Sequence, residues 1–354
     1  MARKTRRPTA RVTLSAVAQD AGVSISTASL ILSQHPAYLG NFHPRTVEKV
    51  RRSAQRLGYR ANLFASVLPT KGSVFFALVL HGATQAQTGR HQWAFEGDLL
   101  AGVVKVATAS GVYPILIITG EEVEEASLPG MERVIAGGVF GSIVRSPCPM
   151  LSRLLRDQID RGQPIAAVFP NEPSRWASNM IDVDNVDMGQ QAGAALARRG
   201  ARKWVLLSSE TRESHLKRHE GFRRAAEKVG ATVQVIRCPE EHDALTLSRR
   251  LLPTFKSGNI EGIFALTHTS SQAVQHVCAK VGIRLGETAY LIGCDCSMWN
   301  TPLVAPITSI EASWSEAGEI ALKTLLELKR SNECRFDNIF LRARLVPGET
   351  CPLD

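Results

Sequence analysis

The sequence predicts two unlike parts: a small all-α helix-turn-helix headpiece, then a two-lobed α/β core built on parallel sheets. Three observations carry this. The positive charge is concentrated at the start of the chain. Apolar residues recur at helical spacing on either side of Gly22. From Ser73 onward, short apolar strand-like runs alternate with helical stretches.

A chain of 354 residues exceeds one ordinary core, so more than one domain is expected. With 44% hydrophobic and 21% charged residues, it has the composition of a globular protein. No apolar run reaches the roughly 18 residues that a membrane span needs. The opening "MARKTRRPTARVT" is basic with no apolar segment after it, so no secretory signal is expected there.

Charge divides the chain sharply. Residues 1–72 hold twelve basic side chains against two acidic ones, Asp20 and Glu48. The remainder holds thirty basic and thirty-one acidic side chains, so the whole excess of a +9 chain sits on its first fifth. A basic module on a neutral body is the footprint of polyanion binding.

Within that module, Leu14, Val17, Ala18 and Ala21 form one helical face. Thr13 is the expected N-cap, and Gly22 the stop, where a left-handed backbone costs little. Val23 fills the angle between helices. Ser24 caps a second helix whose inner face is Ala28, Ile31 and Leu32. A third helix is expected over Thr46 to Leu57, with Val47, Val50, Ala54 and Leu57 inward and Lys49, Arg52 and Arg56 outward. Two helices about a short Gly-containing turn make a helix-turn-helix.

In the body, "SVFFALVL", "VYPILII", "VFGSIV", "PIAAVF", "NMIDV", "KWVLLSS", "ATVQVI", "GIFAL" and "AYLIGC" read as strands at α/β spacing. Such a pattern predicts parallel sheets covered by helices, with a cleft outside the carboxyl ends of the strands. No G-x-G-x-x-G follows the first strand, and neither a G-x-x-x-x-G-K-[ST] loop nor a G-x-S-x-G elbow occurs, so no enzyme and no cofactor is expected. His215 and His219 stand four apart, but "HLKRH" lacks the glutamate of H-E-x-x-H and reads as an exposed polar helix start. The seven cysteines are scattered, only Cys294 and Cys296 lie close, and no metal site is expected.

"VTLSAVAQDAGVSISTASLILS", followed by "TVEKVRRSAQRLGYRANLFASVL", resembles the headpiece of the lactose/galactose repressor family over nearly all of residues 12–68. The resemblance implies a DNA reader whose second helix lies in the major groove. Ile25, Ser26 and Leu30 would then face base edges. Thr13, Ser24, Thr27, Ser29, Ser33, Tyr59 and Asn62 would hold phosphates. Leu68, in a hinge helix "NLFASVL", would wedge into a minor-groove step. Three departures stand out: Ala16 replaces the usual Asp, "QHPAYLGNFHP" is longer than the common loop, and Pro69 follows Leu68 directly.

The resemblance continues, more weakly, through "IDVDNVDMGQQAGAAL", "RHEGFRRAAEKVG", "GIFALTHTSSQAV", "YLIGCDCS" and "PITSIEASWSEAGEIALKTLLE". It implies a periplasmic-binding-protein-like core that binds a small effector, most often a sugar, and forms a homodimer. The implied organisation is a headpiece over 1–60, a hinge and linker over 61–72 and a core over 73–354. Lobe 1 would take about 73–168 and 297–331, and lobe 2 about 169–296 and 332–354. Carried-over effector residues are Arg218, whose fork donates several hydrogen bonds, and Asp295, an acceptor for hydroxyls. Phe95 and Trp299 are candidate rings for a sugar face. Thr267–His268 replaces the usual Asn-Asp, so His268 alters the donor pattern at that place.

The functional expectation is a sequence-specific regulator, a repressor, that binds double-stranded operator DNA in the cytoplasm and answers to a carbohydrate effector. A solute-binding protein for transport is disfavoured by the headpiece, and an α/β enzyme by the lack of a nucleophile–base set. "LVPGETCPLD" has no leucine heptads, so a dimer is expected over a tetramer.

Overall fold

A computed structural model describes residues 12–32, 42–59, 73–81, 89–119, 128–145, 147, 149–209, 212–239, 243–296 and 305–353. The chain divides into two compact units, Met1–Val74 and Phe75–Asp354.

The first unit has three described helices: α1 (Leu14–Ala21), α2 (Ile25–Leu32) and α3 (Pro44–Leu57). The Thr13 hydroxyl caps α1 by accepting from the Ala16 N–H at 3.3 Å. Gly22 ends α1 at φ 61°, a left-handed turn that a side chain would resist. The Ser24 hydroxyl accepts from the Thr27 N–H at 3.0 Å. Val17, Ala18, Ala21, Ala28, Ile31, Val50 and Ala54 close the small core. The third helix starts at Pro44, two residues before the expected Thr46, because His43 Nδ1 caps the Arg45 N–H at 3.2 Å. Proline's locked φ also suits a first turn.

The second unit carries two six-stranded sheets. The first contains β1 (Phe75–His81), β2 (Tyr113–Thr119), β3 (Ser142–Arg145), β4 (Ile165–Val168), β5 (Met180–Val183) and β11 (Ile339–Leu341), in the order β11-β5-β4-β3-β1-β2. The second contains β6 (Lys203–Ser208), β7 (Thr232–Arg237), β8 (Gly262–Ala265), β9 (Tyr290–Cys294), β10 (Thr308–Glu311) and β12 (Arg344–Val346), in the order β12-β10-β9-β8-β6-β7. The two orders correspond strand for strand. All pairings are parallel except β10 with β12.

Helices cover both faces of each sheet, as strands apolar on both sides require. On β1, Phe76, Leu78 and Leu80 meet α4 (Gly89–Ser110) and α11 (Trp314–Ser331), while Val79 on the opposite face joins a core with α5 (Leu128–Gly137) and α6 (Pro149–Asp160). In the second sheet, Trp204, Leu206 and Phe264 meet α7 (Asn185–Arg198) and α8 (Glu213–Val229). Val205, Leu207 and Ile263 meet α9 (Ala244–Ser257) and α10 (His268–Val281). In both lobes a helix pair crosses on glycines. A Cβ at Gly102 would come within 1.8 Å of the Ser315 carbonyl oxygen, and one at Gly221 within 1.9 Å of that of Val186.

The lobe limits differ from the sequence expectation. β5 belongs to the first sheet, β10 to the second and β11 to the first. The chain therefore passes between sheets after Val183, after Glu311 and after Leu341, not near 168, 296 and 331. These strands are only three or four residues long. Their apolarity marks them as strands, but nothing local says which sheet they join.

Candidate functional site

On the first unit, Ile25 and Leu30 are exposed at 54% and 36%, unusual for large apolar side chains on a helix of a small core. Ser26 is exposed beside them, and Thr27 and Ser29 are half-buried. Ser24 Oγ lies 2.8 Å from both Ser26 Oγ and Thr27 Oγ1, so hydroxyls cluster at the start of α2. Thr13 is exposed and Tyr59 half-buried. Helix α2 thus shows a short apolar edge flanked by hydroxyls, with Ala28 and Ile31 turned inward. Ser33, Asn62 and Leu68, with the expected hinge helix, lie outside the described residues.

Trp314 organises the core's cleft. It opens α11 directly after the chain leaves β10. Phe95 stacks on it with centroids 5.0 Å apart, and Phe169 meets it edge-on at 4.4 Å. The Arg145 guanidinium sits 5.1 Å from its centroid, a cation–π distance. Its Nε1 donates to Asp295 Oδ1 at 3.4 Å, and the same oxygen accepts from the Ala312 N–H at 2.8 Å. Phe169 follows β4 and Asp295 follows β9, at corresponding places in the two sheets, and both adopt positive φ, 47° and 50°. A left-handed backbone costs a non-glycine residue about 1–2 kcal/mol. Such outliers gather where a side chain must be aimed.

The expected site residues fall into this frame unevenly. Phe95 and Asp295 converge on Trp314. Arg218, 9% exposed on α8, donates from Nε to Asn185 Oδ1 at 2.9 Å, and its charge acts on Asp295. Burial pushes the Asp295 carboxyl up to about 6, against the pull of Arg218. His268 is buried at the start of α10, beyond β8. Thr267 caps that helix through a reciprocal pair with Ser270, so this departure supplies a helix start instead of a ligand amide. Trp299 lies outside the described residues.

Sequence reasoning missed four participants. In the sequence Trp314 stands out only as part of the stretch "PITSIEASWSEAGEIALKTLLE". His215 is buried, contrary to the expected exposed helix start, and its Nδ1 lies 2.7 Å from Ser209 Oγ. Burial, then Arg218 and Arg212, hold its pKa well below the usual range, so the ring is neutral at pH 7. Arg145 and Glu96 form an ion pair at 3.1 Å with side chains 7% and 1% exposed. Only the apolar run before Arg145, ending a strand on a charge, could have signalled it.

These residues lie at the carboxyl ends of β3, β6, β8 and β9, and the cleft is bounded by both lobes. Ser174, beyond β4, donates its N–H and hydroxyl to Glu213 Oε2 of α8 at 3.2 and 2.8 Å. In each sheet the strand order reverses between neighbours, β1 with β3 and β6 with β8. Open α/β sheets hold ligands at such switch points.

Comparison with known proteins agrees with this fold. Residues 194–351 match the family model described as a periplasmic binding protein-like domain. Catabolite control protein A of Priestia megaterium is 23% identical over 325 residues, covering 89% of this chain and 91% of its own. The lac repressor dimer bound to operator and the anti-inducer ONPF superposes with TM-score 0.78 at 19% identity, covering 97% of this chain and 99% of that one. The complex of transcriptional regulator CelR with cellobiose superposes with TM-score 0.63 at 20% identity, covering 96% and 100%.

Proposed function

We propose that the chain belongs to the lactose/galactose repressor family of transcriptional regulators, a reading that its similarity to such regulators supports, and that it represses genes from operator DNA until a small effector enters the cleft. The observation that carries this is the exposed apolar edge of α2, set on a capped helix-turn-helix within the first 72 residues, which together hold the chain's whole charge excess. Ile25 and Leu30 meet thymine methyl groups, and Ser26 serves either base type. Thr13, Ser24, Thr27, Ser29, Ser33, Tyr59 and Asn62 bind phosphates, and Leu68 opens the central step. The protein works in the cytoplasm, and no described helix is long and apolar enough to cross a membrane.

The effector is a sugar or sugar derivative held by Arg218, Asp295, His268, Phe95 and Trp299, with Trp314 as the stacking wall. The operator held by the lac repressor and the cellobiose held by CelR support this assignment. Effector binding favours one arrangement of the lobes, which lowers operator affinity only if the ligand prefers that arrangement. The working form is a homodimer. Edge strand β2 exposes Tyr113, Leu116 and Ile118 at 51%, 50% and 55%, an apolar edge that proteins ordinarily cover.

The test is gel retardation of promoter DNA near the gene, repeated across salt and with added sugars. Retardation that falls with salt, exceeds that of scrambled DNA and is relieved by one sugar is expected. Equal retardation of scrambled DNA at every salt concentration overturns the reading.

A further inference from the structure

Phe95 stacks on Trp314, and the next residue, Glu96, pairs with Arg145, whose guanidinium sits by the same ring. Arg145 ends β3 and Glu96 lies on α4, the helix after β1, so the pair flanks the switch point of the first sheet. Their side chains are 7% and 1% exposed. Arg145 Nε and Glu96 Oε1 are 3.1 Å apart, yet among the described residues neither Glu96 oxygen nor Arg145 Nε makes a hydrogen bond. Charge and hydrogen bonding therefore part company here. The charge of Glu96 is answered by Arg145, and Arg218 acts on that of Asp295. The acceptor oxygens of Glu96 are not answered, although buried polar groups ordinarily find partners. What fits is a group that brings donors without charge. A second anion would repel Glu96, and a cation would repel Arg145.

We propose that Glu96 and Arg145 form a hydroxyl-binding seat beside Trp314, where the Glu96 carboxylate accepts from two adjacent hydroxyl groups of the effector, a neutral sugar. This rests on the reading of the cleft as the effector site. An ionised carboxylate only accepts, and it does so on both oxygens. Those oxygens share one carbon, so they meet two hydroxyls on neighbouring carbons much as they meet the paired N–H groups of an arginine. The Arg145 Nε–H is left to donate to a further sugar oxygen. Phe95, Phe169 and Trp314 supply the apolar wall, and a ligand site needs only a few polar groups placed within such a wall to fix orientation. The seat also sets specificity. A site built to bond a hydroxyl rejects the analogue that lacks it, because a buried acceptor is then left unpaired.

The test follows core unfolding of the full-length protein in rising D-glucose, D-galactose, D-ribose, maltose and cellobiose. D-glucuronate, D-glucose 6-phosphate and the cation N-methyl-D-glucamine serve as charged comparators. It is run at pH 8, where the Glu96 carboxyl, pushed up to about 7 by burial against the pull of Arg145, is ionised. Bound ligand raises the melting temperature in a saturable way. A neutral sugar should bind saturably, about tenfold or more tighter than any charged comparator. The monodeoxy forms of that sugar are then bound to the unaltered chain, Glu96→Gln and Glu96→Asp. Two of them, lacking adjacent hydroxyls, should bind the unaltered chain roughly a hundredfold more weakly than the parent sugar. In Glu96→Gln that discrimination should shrink to about threefold or less, the coupling that a direct contact produces. Glu96→Asp keeps a charge opposite Arg145 and shortens the reach, so it should show the same shrinkage even if Glu96→Gln does not fold. A carboxylate that only steadies Arg145 would weaken all forms of the sugar equally and leave the discrimination intact, which overturns the proposal. Tightest binding by a charged comparator, or no saturable shift with any of these sugars, does so too. Operator DNA released by a charged sugar while no neutral one binds leaves the regulator standing and removes the seat. Diol-dependent sugar binding without operator retardation does the reverse.

Discussion

Gly189 lies against Arg218 so closely that a methyl group on it would come within 2.0 Å of the Arg218 carbonyl oxygen. Helices α7 and α8 therefore touch backbone to backbone, and that contact sets where the Arg218 side chain meets Asn185. Gly189→Ala should force the helices apart and destabilise the core by about 1–3 kcal/mol, the usual cost of overpacking. It should also weaken effector binding by moving Arg218. Urea unfolding of the core transition measures the first effect and calorimetric titration the second. An unchanged midpoint would mean that the helices can slide without penalty.

Gly22 makes the corresponding test on the headpiece. At φ 61° it serves a turn that costs an L-residue about 1–2 kcal/mol. Gly22→Ala should lower the headpiece melting temperature by several degrees, since ~1 kcal/mol shifts a small domain by about 4–8 °C. The core transition should stay in place. Circular dichroism resolves the two transitions, and an equal drop in both would contradict the division at Val74.

Leu30 is 36% exposed on α2, the helix proposed to read DNA, and takes no part in the core. Leu30→Arg should change the preferred operator base more than non-specific affinity, because arginine seeks the guanine edge where leucine touches a methyl group. Selection from randomised operators reads this directly. An identical consensus for both proteins would remove Leu30 from the groove.

Asp182 carries a pH signature. It is 4% exposed, and burial pushes its carboxyl up to about 6, against a backbone bond from Val183 and the pull of Arg218. A folded-state pKa above the unfolded value near 3.8 means the native state holds the extra proton between these values. Stability from this group is therefore full below about 4 and is lost as pH rises through about 6. Asp182→Asn should narrow the gap in core melting temperature between pH 5 and pH 8. A gap of the same size in the variant would assign the dependence to Glu96 and Asp295, which shift the same way.

The headpiece was legible because its information is local. Thr13, Gly22 and Ser24 punctuate helices within a few residues of themselves, and the apolar spacing of Val17, Ala18 and Ala21 names the buried face. The strands of the core were legible for the same reason. Of the candidate effector residues, Arg218 and Asp295 came from resemblance to family motifs, and Phe95 only as a ring suited to a sugar face. Trp314, His215 and the Glu96–Arg145 pair were not. Each derives its meaning from partners on other elements: Phe95 and Asp295 for Trp314, Ser209 for His215, α4 for Arg145.

By itself the sequence determined a basic helix-turn-helix, a parallel α/β body and the family that both resemble. Periodicity, capping residues and net charge are properties of neighbouring residues, and they survive without a fold. Only the tertiary structure decided that β5, β10 and β11 join the sheets they do, and that Trp314 stands where two lobes meet. It alone buried a carboxylate and a guanidinium together at the cleft. Strand pairing and desolvation depend on residues far apart in the chain, so their energies exist only once the chain has closed on itself.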